Sequence, residues 1–151
     1  MRCEECGADL PHDETCAGRF ETLLAADFGG VAEAFDVHGL TVLTYQLQHP
    51  SGVKPWYLAF GYDLMRRIFG QGEDWRQALT EVRQNKADVA RWKMMVTSIP
   101  PEVVMHPVPG EVTIADIDPA APAGHADRVL AWARSVAEKR ARVGDTGVRR
   151  R

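Results

Sequence analysis

VAEAFDVHGLTVLTYQLQH, residues 31–49, has two readings, and the choice between them decides the fold. From Leu40 onward, LTVLTYQLQ alternates and carries β-branched residues, as a strand would. Over the whole stretch, His38, Val42, Tyr45 and His49 fall at offsets 0, 4, 7 and 11. At about 100° per residue these four share one helical face. Leu40, Leu43 and Leu47 put apolar surface elsewhere on the same cylinder. The length of the helical pattern outweighs the short alternation. A helix apolar on more than one side belongs at the centre of a bundle. Pro50 and Ser51-Gly52 stop it.

The neighbouring segments read as further helices. Upstream, Phe20, Leu23, Leu24 and Phe28 recur at helical spacing, with Asp13 or Thr15 as the cap and Gly29-Gly30 as the break. Two helices joined by so short a break pack antiparallel, which sets Cys16 beside His49. Downstream, PWYLAFGYDLMRRIF starts with Pro55 and places Trp56 or Phe60, Leu64 and Ile68 on a stripe. EDWRQALTEVRQNKADVARW, residues 73–92, follows with Leu79, Val82 and Val89 inward. Between Met94 and Pro109 the periodicity stops, and Pro100, Pro101, Pro107 and Pro109 mark a long connection, either a packed loop or a functional lid or surface. GEVTIADI then forms a short strand or an extended lead-in, and GHADRVLAWARSVAEKRARV a last helix with Val129, Trp132 and Val136 inward.

Composition bounds the function. A net charge of -3 in 151 residues argues against a general polyanion binder. Lys139, Arg140, Arg142 and three terminal arginines make a basic end, but no aromatic platform accompanies them, so nucleic acid is not an expected partner. No apolar run reaches the roughly 18 to 20 residues that span a bilayer, so no membrane is expected. MRCEEC lacks a charged segment followed by an apolar core, so no secretion signal is read there and a cytoplasmic location is expected. A reducing compartment disfavours disulfides, and three cysteines cannot all pair.

Those three cysteines lie together in CEECGADLPHDETC, residues 3–16. The C-x-x-C spacing of Cys3 and Cys6 lets two thiolates point at one ion, and Gly7 suits the turn that follows. Cys16 adds a third sulfur. Soft sulfur with one imidazole is a donor set for tetrahedral Zn2+. The rival reading, a thioredoxin-like redox pair, needs a βαβ setting that this segment lacks. For the fourth ligand, His12 offers a local H-x3-C spacing with Cys16. His49 offers the far end of the antiparallel pair, and packing geometry favours it. His38 lies about 16 Å further along the helix axis.

CEECGADL, TCAGRFETLLA, VHGLTVLTYQLQHPS, VTIADI and VLAWARSV together resemble an uncharacterised bacterial domain-of-unknown-function family with a CxxC head and a VHxL…YxLQHP helix. The resemblance runs from Cys3 to about Val136 and departs from the pattern in the aromatic-rich KPWYLAFGYDLMRRIFGQG. Some members lack a histidine at the place of His12 while keeping those matching His38 and His49, which implies His49 as the ligand. The resemblance brings no activity with it.

For catalysis the candidates are His38 and Tyr45, two turns apart on one face, as a proton-transfer pair or as metal ligands. The plain alternative is a hydrogen-bonded core histidine. No phosphate loop, G-x-S-x-G or H-E-x-x-H occurs.

The expectation is therefore an all-α protein: a four- to five-helix bundle with an N-terminal zinc knuckle and a long proline-rich connection before the last helix. Its single domain covers 1–143, including the knuckle at 1–16, and a basic disordered tail covers 144–151. The expected function is a structural-zinc module that binds a protein or a small molecule. The alternatives are a metalloenzyme, using an open Cys3 zinc site or the His38/Tyr45 face, and a regulator sensing zinc or thiol oxidation.

Overall fold

A computed structural model describes residues 1–29, 32–84, 94, 99–121 and 123–149, with backbone alone for 32–35 and 145–149. The described residues form α1 (Cys16–Asp27), α2 (Ala32–Gln48), α3 (Pro55–Gln71), α4 (Trp75–Gln84), α5 (Pro101–Met105) and α6 (His125–Arg149). A single 3-10 turn, Ile114–Asp116, precedes α6, and there is no strand among the described residues.

The ambiguous stretch from Leu40 is helical through Gln48. Burial explains why its β-branched residues do not form a strand. Val37, Leu40, Leu43 and Leu47 all lie in the core, and Thr41 and Thr44 are buried with them. The Thr41 hydroxyl donates to the Val37 carbonyl at 3.3 Å, so its polar group is absorbed by the helix itself. α2 packs against α1, α3, α4 and α6, the position that an all-round apolar helix requires. α1 opens at Thr15, whose hydroxyl accepts from the Gly18 N–H at 3.0 Å, and α3 opens with Pro55. The expected break at Gly30 and the expected continuation of the fourth helix over 85–92 lie outside the described residues.

The proline-rich connection is packed. Its prolines confine α5 to little more than one turn, yet Val104, Val108, Ile114 and Ile117 all reach the core. GEVTIADI becomes a 3-10 turn because its end groups are satisfied locally. Thr113 accepts from the Ala115 N–H at 3.2 Å, and Asp116 accepts from the Thr113 N–H at 2.8 Å. α6 buries Val129, Trp132 and Val136, and its backbone continues as helix through Arg149.

Two polar side chains lock α6 to α2. The Trp132 indole donates to Gln48 Oε1 at 2.8 Å, and Gln48 Nε2 donates to the Val112 carbonyl at 2.9 Å. Arg140, grouped by sequence with the solvated basic end, is instead fully buried. Its guanidinium donates to the carbonyls of Val103 at 3.2 Å, His106 at 2.6 Å, and Leu47. Burial draws its value down to about 10. No helix among the described residues is long and apolar enough to cross a membrane.

Candidate metal centre

The N-terminal head is a tight turn tied to the bundle. The Cys3 N–H donates to the Ala8 carbonyl at 2.8 Å, and the Gly7 N–H to the Cys3 carbonyl at 3.0 Å. The Ala8 N–H points at Cys6 Sγ, 3.4 Å away. Gly7 has φ +80°, and a Cβ there would meet Pro109 Cβ at 3.2 Å. Both the left-handed backbone and the close approach of the connection therefore call for glycine. The Gly110 N–H donates to the Cys6 carbonyl at 3.1 Å. Glu5 accepts from the Ser51 N–H at 3.2 Å and from its hydroxyl, fastening the head to the turn after α2.

Cys3, Cys6, Cys16 and His49 each offer a ligand atom, and all four atoms lie within 4.8 Å of one another. Cys6 Sγ and Cys16 Sγ are 3.7 Å apart. No disulfide joins the cysteines, whose sulfurs would then be about 2.05 Å apart. Two sulfurs held about 2.3 Å from one tetrahedral ion lie about 3.8 Å apart, close to the separation seen here. His49 completes the set by a chain of constraints. Its Nδ1 lies 2.9 Å from the Tyr45 carbonyl, which can only accept, so the proton sits on Nδ1. Nε2 keeps its lone pair and is buried without a hydrogen-bond partner among the described residues. A buried imidazole nitrogen with no partner, beside three thiols, suits a cation.

The electrostatics agree. Burial lowers His49, keeping it neutral as a ligand must be. Burial works to raise Cys3, but N–H donation from Cys6 and Glu5 and the other thiols outweigh it and hold Cys3 below its ordinary value. Cys6 and Cys16 are pushed up, first by burial and then by the negative charge of their sulfur neighbours. Three thiolates cannot share this space without a positive charge among them. Tyr45 is pushed up to about 12 by burial and by the same sulfurs. Its ring is stacked between Phe20, at 4.0 Å, and the His49 imidazole, at 4.2 Å, which fixes the ligand ring in place.

Residues 1–141 match the model of a family of unknown function, DUF5946. The chain belongs to that family. Neither a curated protein nor a solved structure matches it. In this DUF5946 chain the matched span contains the whole head, α2 and all four candidate ligands.

The sequence-level candidates separate in the DUF5946 fold. His49 joins the cysteines, whereas His12 is exposed and stands outside the group. Tyr45 is a wall of the Cys–His group, its ring stacked on His49. His38 turns to Asp27, with Nδ1 2.8 Å from Oδ2, so the two candidates for proton transfer engage different partners. Asp27, at the far end of α1, and His125, the first residue of α6, were not singled out by sequence. The register of the antiparallel pair could have located Asp27, since it lies as far from Cys16 as His38 lies from His49. Glu5 and Ser51 carried no signal beyond their proximity to Cys6 and His49 in sequence.

Proposed function

We propose that this chain is a helical module whose head is held onto the bundle by one Zn2+, bound by Cys3, Cys6, Cys16 and His49. The observation that carries this reading is the His49 Nε2 lone pair, buried beside three sulfurs with no partner among the described residues. Soft sulfur and one nitrogen suit zinc better than magnesium or calcium, which take oxygen. Four protein ligands leave no position for a reacting water, so the ion is structural and the module binds a protein or small molecule rather than hydrolysing one. The expected surface is the α3 aromatics or the connection; Trp56, Tyr57 and Phe60 are half-buried against the core.

Metal analysis of protein purified without added metal tests the reading. One zinc per chain is expected, lost in Cys16→Ser and in His49→Ala but kept in His12→Ala. A protein without zinc, or zinc retained in His49→Ala and lost in His12→Ala, would overturn it.

A further inference from the structure

The metal centre occupies one end of the α1–α2 pair. Cys16 and Asp27 are eleven residues apart on α1, and so are His38 and His49 across α2. Eleven residues of helix span about 16 Å, so the opposite end of the same pair brings Asp27 to His38. The Asp27 side chain is wholly enclosed, at 0% exposure, while 29% of the His38 side chain remains open. His38 Nδ1 sits 2.8 Å from Asp27 Oδ2. Across the carboxylate, His125 Nε2 stands 3.6 Å from Oδ1, beyond hydrogen-bond range. Oδ1 and that nitrogen are both buried with no hydrogen-bond partner among the described residues. The exposed Phe28 ring leans on His38, with ring centroids 4.9 Å apart.

A buried carboxylate is costly unless it is fully paired, and this one is not. Burial raises the Asp27 carboxyl, with His38 and His125 acting against it. The two imidazoles flank opposite oxygens instead of converging. The Cys–His set is the only converging group of ligand atoms among the described residues. The arrangement therefore suits proton transfer rather than metal binding. A buried acid that holds one imidazole nitrogen and leaves the other free is how a histidine base is oriented.

We propose that His38 is a nucleophilic base positioned by Asp27, and that this end of the helix pair accepts the acyl group of an electrophilic carbonyl compound such as an activated ester. With Asp27 ionised, the proton lies on Nδ1 and the lone pair on Nε2. Nε2 forms a bond to the carbonyl carbon as the bond from that carbon to the leaving oxygen breaks, and the Nδ1 proton stays on the ring, where the Asp27 carboxylate balances the acyl-imidazolium charge. The departing alkoxide takes a proton from solvent water on the open side of His38, leaving hydroxide. Hydroxide then adds to the acyl carbon, the bond to Nε2 breaks, and the carboxylic acid leaves with the ring back in its single N–H form. The Phe28 ring gives the acyl group an apolar flank.

Diethyl pyrocarbonate, which places an ethoxycarbonyl group on imidazole nitrogen, probes this in the full-length wild type, with each histidine followed by mass spectrometry. His12 and His106 are exposed and serve as internal references. Exposure alone makes His38 the slowest of the three; activation by Asp27 makes it several-fold faster than either. Asp27→Asn should bring His38 to the reference rate or below, and Asp27→Glu should restore part of the difference. Wild-type His38 reacting no faster than His12 overturns the proposal, and that comparison requires no variant to fold. Release of 4-nitrophenolate from 4-nitrophenyl acetate gives a second reading. It should fall several-fold in His38→Gln, and equal release would overturn the acyl-transfer step. The His38 modification rate does not depend on the metal content of the Cys–His group; the ester readout compares wild type and His38→Gln with the three thiols blocked beforehand, because free thiols also accept the acetyl group.

Discussion

At Gly7 a single methyl group would disturb the head. The residue's φ of +80° and the 3.2 Å approach to Pro109 both exclude a side chain. Gly7→Ala should therefore cost about 1–2 kcal/mol, measured as a shift of the urea midpoint at unchanged slope. Asp27 gives a pH-dependent test. Burial raises its carboxyl above the unfolded value, against the pull of His38, so the folded state holds that proton more tightly. The stability it contributes is complete below the unfolded value and lost as pH rises through the raised one. As pH falls from neutral, the wild type should gain stability relative to Asp27→Asn; thermal unfolding of both proteins across that range measures it, and a constant difference would refute it. The cysteines and His49 were legible in sequence because a short spacing and one packing rule reach them. Asp27 was not, because an aspartate at the end of an apolar helix carries no pattern of its own.

Among the elements, α2 carries the heaviest demand. LTVLTYQLQ could be read either way from its residues, and the length of the pattern, confirmed by burial on several sides, settles it as helix. What periodicity could not show is how α2 ends. Gln48 and Arg140 close it against α6 through partners 84 and 93 residues away, a distance that no local pattern spans. A run rich in arginine reads as solvated, and the Arg140 stem and guanidinium are enclosed only because α5 and the α2 terminus present carbonyls to it. Gln48→Leu strands the Trp132 N–H in the core and leaves the half-buried Val112 carbonyl without its donor, so a loss of about 2–3 kcal/mol is expected by chemical denaturation. Arg140→Leu leaves three carbonyls without this donor and should cost more. The connection was legible as irregular from its prolines, but its packing was not, because Val104, Ile114 and Ile117 follow no regular period.

For the molecule as a whole, head and bundle share one buried cluster. Cys6, Ala8, Leu10 and Cys16 belong to the same core as Leu40, Leu64 and Trp132. On the zinc reading, the ion acts on the head and leaves the α2–α3–α6 contact in place. Chelation should lower the midpoint of thermal unfolding by several degrees, roughly 2–4 °C for each kcal/mol lost, while far-ultraviolet circular dichroism keeps most of its helical signal. Complete loss of that signal would mean that the bundle cannot stand without the ion.

X-ray absorption at the zinc edge of the purified protein reads the junction between head and α2 most directly. Zinc clasping the two should give three sulfurs at about 2.3 Å and one nitrogen at about 2.0 Å, a shell kept in His12→Ala, with no zinc edge left in His49→Ala. A shell of oxygens, or a nitrogen that survives His49→Ala, would contradict it.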